Sequence, residues 1–286
     1  WHKIFNYQAD DNNTLQSLWT VNYSGVKRCN DMLRYSEWVD MDAKTKENMK
    51  AQARLMRVYY YNMLWHYWGN IPFYFTNLSA PFEAPQYTPD EVYKAIVEDL
   101  EKVIELDALP TRWDDDNLGR VNKYTAYMLY AEWVMYQNDE SRLAKALGYM
   151  NEIIADSDFS LHGDYASLWE SSNEWCEESI FEVMYSDNKT KRGWGAGDAI
   201  FAGGTVYPRL CGSPMAVSEL GTDDGWGFSP VRRQTWDMFD AADARREGSI
   251  LNLQTYNEAA GDEFKPRYQN THLWVGKYYA YSHNVE

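Results

Sequence analysis

Apolar residues in the first half of the chain recur at three- and four-residue steps, the period of a helix with one buried face. Leu15, Leu18, Trp19, Tyr23, Val26, Asn30 and Leu33 trace such a stripe and predict a first amphipathic helix. A second helix is predicted from about Asp42 to Trp68, about 40 Å long at 1.5 Å per residue. Its later turns lie in "AQARLMRVYYYNMLWHYWGNIPFYF" (51–75), a stretch loaded with rings. Ala51, Arg54, Leu55, Val58, Tyr61 and Trp65 share one broad face with Leu64 at its edge. Tyr59, Tyr60, Met63 and Tyr67 lie off that face and must pack elsewhere or meet solvent. Gly69 tolerates the left-handed backbone that closes a helix, and Pro72 cannot continue one. Pro72 also pushes Ile71 toward an extended conformation.

A third helix has a clear entry. Thr88 can cap it, Pro89 suits its first position and Glu91 completes a capping box. Val92, Tyr93, Ile96, Val97, Leu100, Val103 and Ile104 form its apolar stripe, opposite a charged face. After the polar loop "PTRWDDDNLGR" (110–120), Ala126, Leu129, Tyr130, Trp133 and Tyr136 predict a fourth helix. A fifth runs from about Glu140 to Ala155. Two helical hairpins result, over 42–107 and 124–155, stacked in the manner of tetratricopeptide arrays.

Past residue 156 the helical period fails. Ile180, Phe181, Val183 and Tyr185 suggest an extended stretch. Residues 187–230 are rich in Gly and Ser, with Trp194, Phe201, Tyr207, Trp226 and Phe228 interleaved. Long ordered loops of this kind are usually functional. Helix, then a short strand, returns within "TWDMFDAADARREGSILNLQTY".

Composition narrows the function. The chain has 286 residues, 45% of them hydrophobic, and 27 Lys and Arg against 43 Asp and Glu, a net charge of −16. Such a surface repels phosphate backbones and anionic head groups, which argues against nucleic acid as a partner. No run of eighteen apolar residues exists to form a membrane-spanning helix. Cys29, Cys176 and Cys211 are odd in number and lack CxxC spacing, which argues against a disulfide framework and against a zinc site. Cys29 falls on a helical stripe and reads as a small buried hydrophobe.

Signals for catalysis are weak. The acidic run "WDDDN" (113–117) fails the calcium-loop pattern at Leu118 and Thr125, and reads as a solvated turn. His66 reads as a core or rim histidine. Glu-rich runs such as "EWCEES" offer carboxylate pairs only in the way any acidic chain does. No GxSxG, P-loop or HExxH motif is present. No cofactor or metal is expected.

A series of short motifs, in order, carries a resemblance. These are Trp19-x3-Tyr23-x2-Val26-x3-Asn30, Ala53-Arg54-x2-Arg57-x-Tyr59-Tyr60, Trp68-Gly69-Asn70-Ile71-Pro72 and Val92-Tyr93-x2-Ile96-x2-Asp99-Leu100. Gly119-Arg120-Val121-Asn122-Lys123, Asp158-Phe159-Ser160-Leu161, Ile180-Phe181-Glu182-Val183 and Asp243-x-Arg245-Arg246 follow. Each is weak alone, but their order across about residues 19–246 is specific. The chain resembles the SusD/RagB family of outer-membrane glycan-binding lipoproteins from Bacteroidetes polysaccharide-utilisation systems.

The resemblance implies a mainly α, tetratricopeptide-like fold: one incomplete domain over 1–286, with a helical scaffold at 15–155 and a loop-rich, short-stranded ligand-side region at 156–286. It also implies non-catalytic carbohydrate binding for nutrient uptake at the cell surface. The partners would be a glycan and a SusC-like TonB-dependent transporter, with membrane attachment only through a lipid anchor that this sequence does not contain. Members carry a lipoprotein cysteine before the first helix and a late helical segment, so the sequence reads as an internal fragment.

Sugar recognition stacks flat C–H faces on rings and satisfies hydroxyls with planar polar groups. The glycan-binding candidates are therefore Trp194 and Tyr207, with Arg209 and Asp198 nearby, and Trp226 in its Gly225-Trp226-Gly227 setting. Tyr7, Asp11 and Asn12 join them by region alone. An α-helical glycoside hydrolase or lyase, and a tetratricopeptide scaffold for protein partners, are the competing readings.

Overall fold

A computed structural model describes residues 8–10, 12, 15–185, 205, 207–267, 269–279 and 281. The chain divides into two compact units. Within the described residues, the first comprises the chain up to Phe159 together with Ile180–Val183, and the second comprises Ser160–Ser179 and nearly all that follows. The fold is mainly α.

The first unit is built from α1 (Gln16–Tyr35), α2 (Ala43–Trp68), α3 (Pro89–Glu105), α4 (Lys123–Gln137) and α5 (Leu143–Ala155). Each packs on the next along the chain. Local chemistry sets the ends. Asp42 accepts the Thr45 N–H at 2.9 Å to open α2, and Thr88 with Glu91 closes the capping box of α3. Gly69, at φ +66°, ends α2 and returns its N–H to the Trp65 carbonyl. A two-residue antiparallel ladder, β1 (Ile71–Pro72) with β2 (Gln86–Tyr87), bridges the linker to α3. The fifth helix begins at Leu143 rather than near Glu140, because Asp139 folds back to accept the Ser141 N–H and hydroxyl.

The rings of α2 divide as the helical period requires. Tyr61 and Trp65 are buried, and Trp65 stacks on Trp133 of α4 at 4.4 Å between centroids and 12° between planes. Tyr59 and Tyr60 are half-buried, and Tyr67 is exposed. The polar motif residues have an inward task as well. The Arg57 guanidinium, buried in the core, donates to Asp99 Oδ2 at 2.9 Å, Asn30 Oδ1 at 2.8 Å and the Phe75 carbonyl at 3.1 Å. Three separate motifs thus converge on one charge that would be costly to bury alone. Asn122 caps α4 and also donates to the Ile180 carbonyl at 2.8 Å. Ile180–Tyr185 forms no ladder among the described residues, and Phe181 sets its ring edgewise against Tyr59. Cys29 is buried with a free thiol, and Asp115–Asn117 make a short exposed turn.

In the second unit, regular structure is short. It contains α6 (Tyr207–Cys211), α7 (Arg233–Asp237), α8 (Ala244–Ser249) and α9 (Gln254–Ala260). An antiparallel pair, β3 (Ile250–Asn252) with β4 (Leu273–Val275), sets Leu251 opposite Trp274. Val217, Leu253, Trp274 and Tyr279 form a small core beneath it. Asp243 opens α8 by accepting the Arg245 N–H, and Arg246 stacks on Trp236. No helix among the described residues is long and apolar enough to cross a membrane.

Candidate functional site

Exposed rings held on a rigid backbone are what a sugar-binding surface needs, and the second unit presents them around α6. Two backbone segments, 207–213 and 224–228, cross here at van der Waals range. A Cβ on Gly225 would sit 2.5 Å from the Cα and carbonyl of Gly212, so neither position admits a side chain without moving main chain. The close approach permits a ladder of main-chain bonds. Trp226 N–H donates to the Arg209 carbonyl at 2.7 Å, Gly227 N–H to Gly212 at 2.9 Å and Phe228 N–H to Leu210 at 3.0 Å. Gly227 has φ +67°, which a side chain would strain.

Side chains project from this frame. Tyr207 is 56% exposed and Tyr278 58% exposed, with ring centroids 6.3 Å apart and planes tilted by 40°. Tyr278 lies on the short turn Gly276–Tyr278, directly after β4. Its neighbour Tyr279 anchors that turn: the ring is buried and its hydroxyl accepts the Ser213 N–H at 3.0 Å. Burial raises the Tyr279 hydroxyl pKa, so it remains a neutral phenol. On the other side of Tyr278, Lys277 places its ammonium 4.0 Å from the Trp169 ring centroid. Hydrogen bonds from Lys277 and Ser249 lower the Tyr165 hydroxyl pKa. Arg267 stacks over the exposed Phe228 ring at 5.1 Å.

The sequence candidates fare differently. Tyr207 is presented to solvent as expected of a stacking ring, and Tyr278 beside it was not anticipated. Arg209 is on the same helix, with its guanidinium forked onto Asp224, 3.1 Å to Oδ1 and 3.3 Å to Oδ2. That pair is half exposed on both sides, so it positions the loop more than it stabilises the unit. Trp226 is half-buried, its main chain fixed to Arg209. Asn12 is exposed and belongs to the first unit, where its N–H donates to Asp10. Tyr7, Asp11, Trp194 and Asp198 lie outside the described residues. Tyr278 escaped sequence reasoning because no motif or period marks it, and only the β3–β4 pairing brings its turn to α6.

The first unit offers an open cavity of about 290 Å³ lined by Cys29, Met32, Met49 and Met56, with Arg28 and Arg120 also on its wall. Its only ring is the half-buried Tyr60, so it lacks the paired exposed rings of the second unit.

One unit is a helical-hairpin scaffold, and the other bears exposed rings beside polar groups. The SusD-like family described as "Starch-binding associating with outer membrane" matches residues 1–133. Surface glycan-binding protein A from Bacteroides uniformis is 46% identical, with a TM-score of 0.84 over 98% of this chain and 58% of that one. Surface glycan-binding protein A from Bacteroides thetaiotaomicron, solved in complex with laminarihexaose, is 40% identical, with a TM-score of 0.91 over 100% of this chain and 61% of that one. The curated SusD-like protein P2 of Formosa agariphila is 24% identical over 253 residues, 86% of this chain and 47% of that protein. Together these matches support a SusD-like family member. It spans about half to three-fifths of the length of these relatives.

Proposed function

We propose that this chain binds a neutral oligosaccharide of the laminarin type without cleaving it. In the cell it would serve as a lipid-anchored receptor on the outer membrane, handing its glycan to a SusC-like TonB-dependent transporter. The observation that carries the reading is the structural match of this whole chain to 61% of a protein holding laminarihexaose. The Tyr207–Tyr278 pair supplies a place for it. Two phenol rings side by side accept the C–H faces of successive sugar units, while their hydroxyls, Arg209 and Asp224 bond sugar hydroxyls. A net charge of −16 favours a neutral glycan over an anionic one.

The test is isothermal titration of the chain with laminarihexaose, with maltohexaose and an anionic oligosaccharide in parallel, followed by a reducing-end assay. The expected result is saturable binding of laminarihexaose and no new reducing ends. Cleavage would put the chain among the helical glycosidases or lyases. Failure to bind any of the three would favour the protein-scaffold reading.

A further inference from the structure

We infer that His162, Cys176 and Glu177 form a binding site for a divalent transition metal of the zinc class. One nitrogen, one sulfur and one oxygen donor from these residues all lie within 4.8 Å of one another. They sit in the second unit, and none is among the proposed glycan-binding residues.

Hydrogen bonding orients the imidazole. Its Nε2 lies 3.0 Å from Ser167 Oγ, and that hydroxyl also lies 3.0 Å from the Asp164 carbonyl. A carbonyl can only accept, so with the serine hydrogen on Asp164 it is Nε2–H that donates to Ser167, whereas the opposite tautomer puts Nδ1–H on Glu177 and is the ion-free state. In the former tautomer Nδ1 presents a lone pair. It faces Glu177 Oε1 at 2.9 Å, one acceptor against another. Two acceptors at that distance need a cation between them. A bare proton would complete an ion pair and require nothing further. The Cys176 sulfur, within 4.8 Å of both, is what selects a metal, since imidazole, thiolate and carboxylate together suit zinc and its neighbours.

Both ligand-bearing segments are held independently of any ion. His162 N–H donates to Glu178 Oε2 at 2.8 Å, and Ser160 N–H to the Glu177 carbonyl at 3.0 Å. Cys176 N–H donates to the Asn173 carbonyl, and the Asn173 amide donates to the Ser167 carbonyl at 2.8 Å. The Ser167 contact is the outer-shell partner that ligating histidines almost always carry. Binding forms a sulfur–metal bond and releases the thiol proton to solvent, with no change of oxidation state. Three protein ligands leave the fourth tetrahedral position to water. The ion would clasp the ends of the loop that bears Tyr165 and Trp169.

The test uses the full chain, stripped with a chelator and titrated with Zn²⁺ against a chromophoric competitor, then with Co²⁺ followed by absorption. The expected result is one tight zinc equivalent and a thiolate-to-cobalt charge-transfer band. Cys176→Ser should abolish the band, whereas Cys211→Ser and His66→Gln should leave both readouts unchanged. Ser167→Ala should weaken zinc about tenfold or more by freeing the ring. Circular dichroism of each variant establishes that it is folded, and the near-isosteric Cys176→Ser keeps the test informative should His162→Gln fail to fold. The proposal is overturned if folded wild type takes up no stoichiometric zinc, or if the cobalt band survives Cys176→Ser. In either case His162 and Glu177 are an imidazolium–carboxylate ion pair only.

Discussion

Two sets of rings, one in each unit, are used in opposite ways. In the first, Tyr61, Trp65 and Trp133 are buried on facing helices, and even the charged motif residue Arg57 turns inward to Asn30 and Asp99. In the second, Tyr207, Phe228 and Tyr278 stand out from a backbone frame whose small core is Val217, Leu253, Trp274 and Tyr279. Side-chain chemistry is the same in both places. What differs is the backbone: a long helix returns every third or fourth ring to one face, whereas crossed glycine segments free rings from any period. A ring's role follows from the geometry that carries it.

The largest effects should come from the first unit and leave recognition alone. Asp99→Ala strands a buried guanidinium and should cost about 3–5 kcal/mol. Trp65→Ala, which empties a stacked core position, should cost about the same. Urea unfolding measures both, and the fraction still folded should bind glycan as wild type does. Normal stability with lost binding would reverse the comparison. Next comes Gly225→Ala, where the added methyl meets Gly212 main chain that cannot yield. A loss of about 1–3 kcal/mol is expected, and here glycan affinity should fall with stability, because the frame carries the rings.

Tyr207→Ala and Tyr278→Ala should each weaken oligosaccharide binding about tenfold, equivalent to about 1.4 kcal/mol, with melting temperature unchanged. Calorimetry on the two variants checks it. Retained affinity with collapsed stability would show that these rings are core. The smallest effect concerns acid. Arg245 holds the Asp243 carboxyl down to about 2 by its side-chain and backbone hydrogen bonds. An unfolded aspartate titrates at about 3.9, so this capping contribution is complete above that pH and is lost as pH falls toward 2. The melting-temperature gap between wild type and Asp243→Asn should therefore narrow across that window. A gap that stays constant with pH would dissociate the cap from the charge.

Much of the first unit was legible in the residues. The Thr88-Pro89-x-Glu91 entry, the Gly69 stop and the apolar stripes are local signals, set by neighbours within a turn or two, and the structure places α1 to α4 within a residue or two of the expected bounds. The β-branched and aromatic residues of Ile180–Tyr185 suit a pleated surface, but a strand needs a partner and the described residues offer none. Tyr207 was singled out as a candidate from its Gly-rich setting. Tyr278 was not, since its place beside Tyr207 depends on β3 pairing with β4, a contact between distant residues.

Sequence alone determined where the first four helices lie, which of their faces are apolar and what charge the chain carries, because those properties depend on periodicity and composition. It also carried the ordered motifs that mark the family. Tertiary structure decided that Asn30, Arg57 and Asp99 meet, that Gly212 and Gly225 cross, and that His162 faces Cys176 and Glu177. Each joins residues distant along the chain, and closing the loops between them depends on how the whole unit packs, not on any local preference.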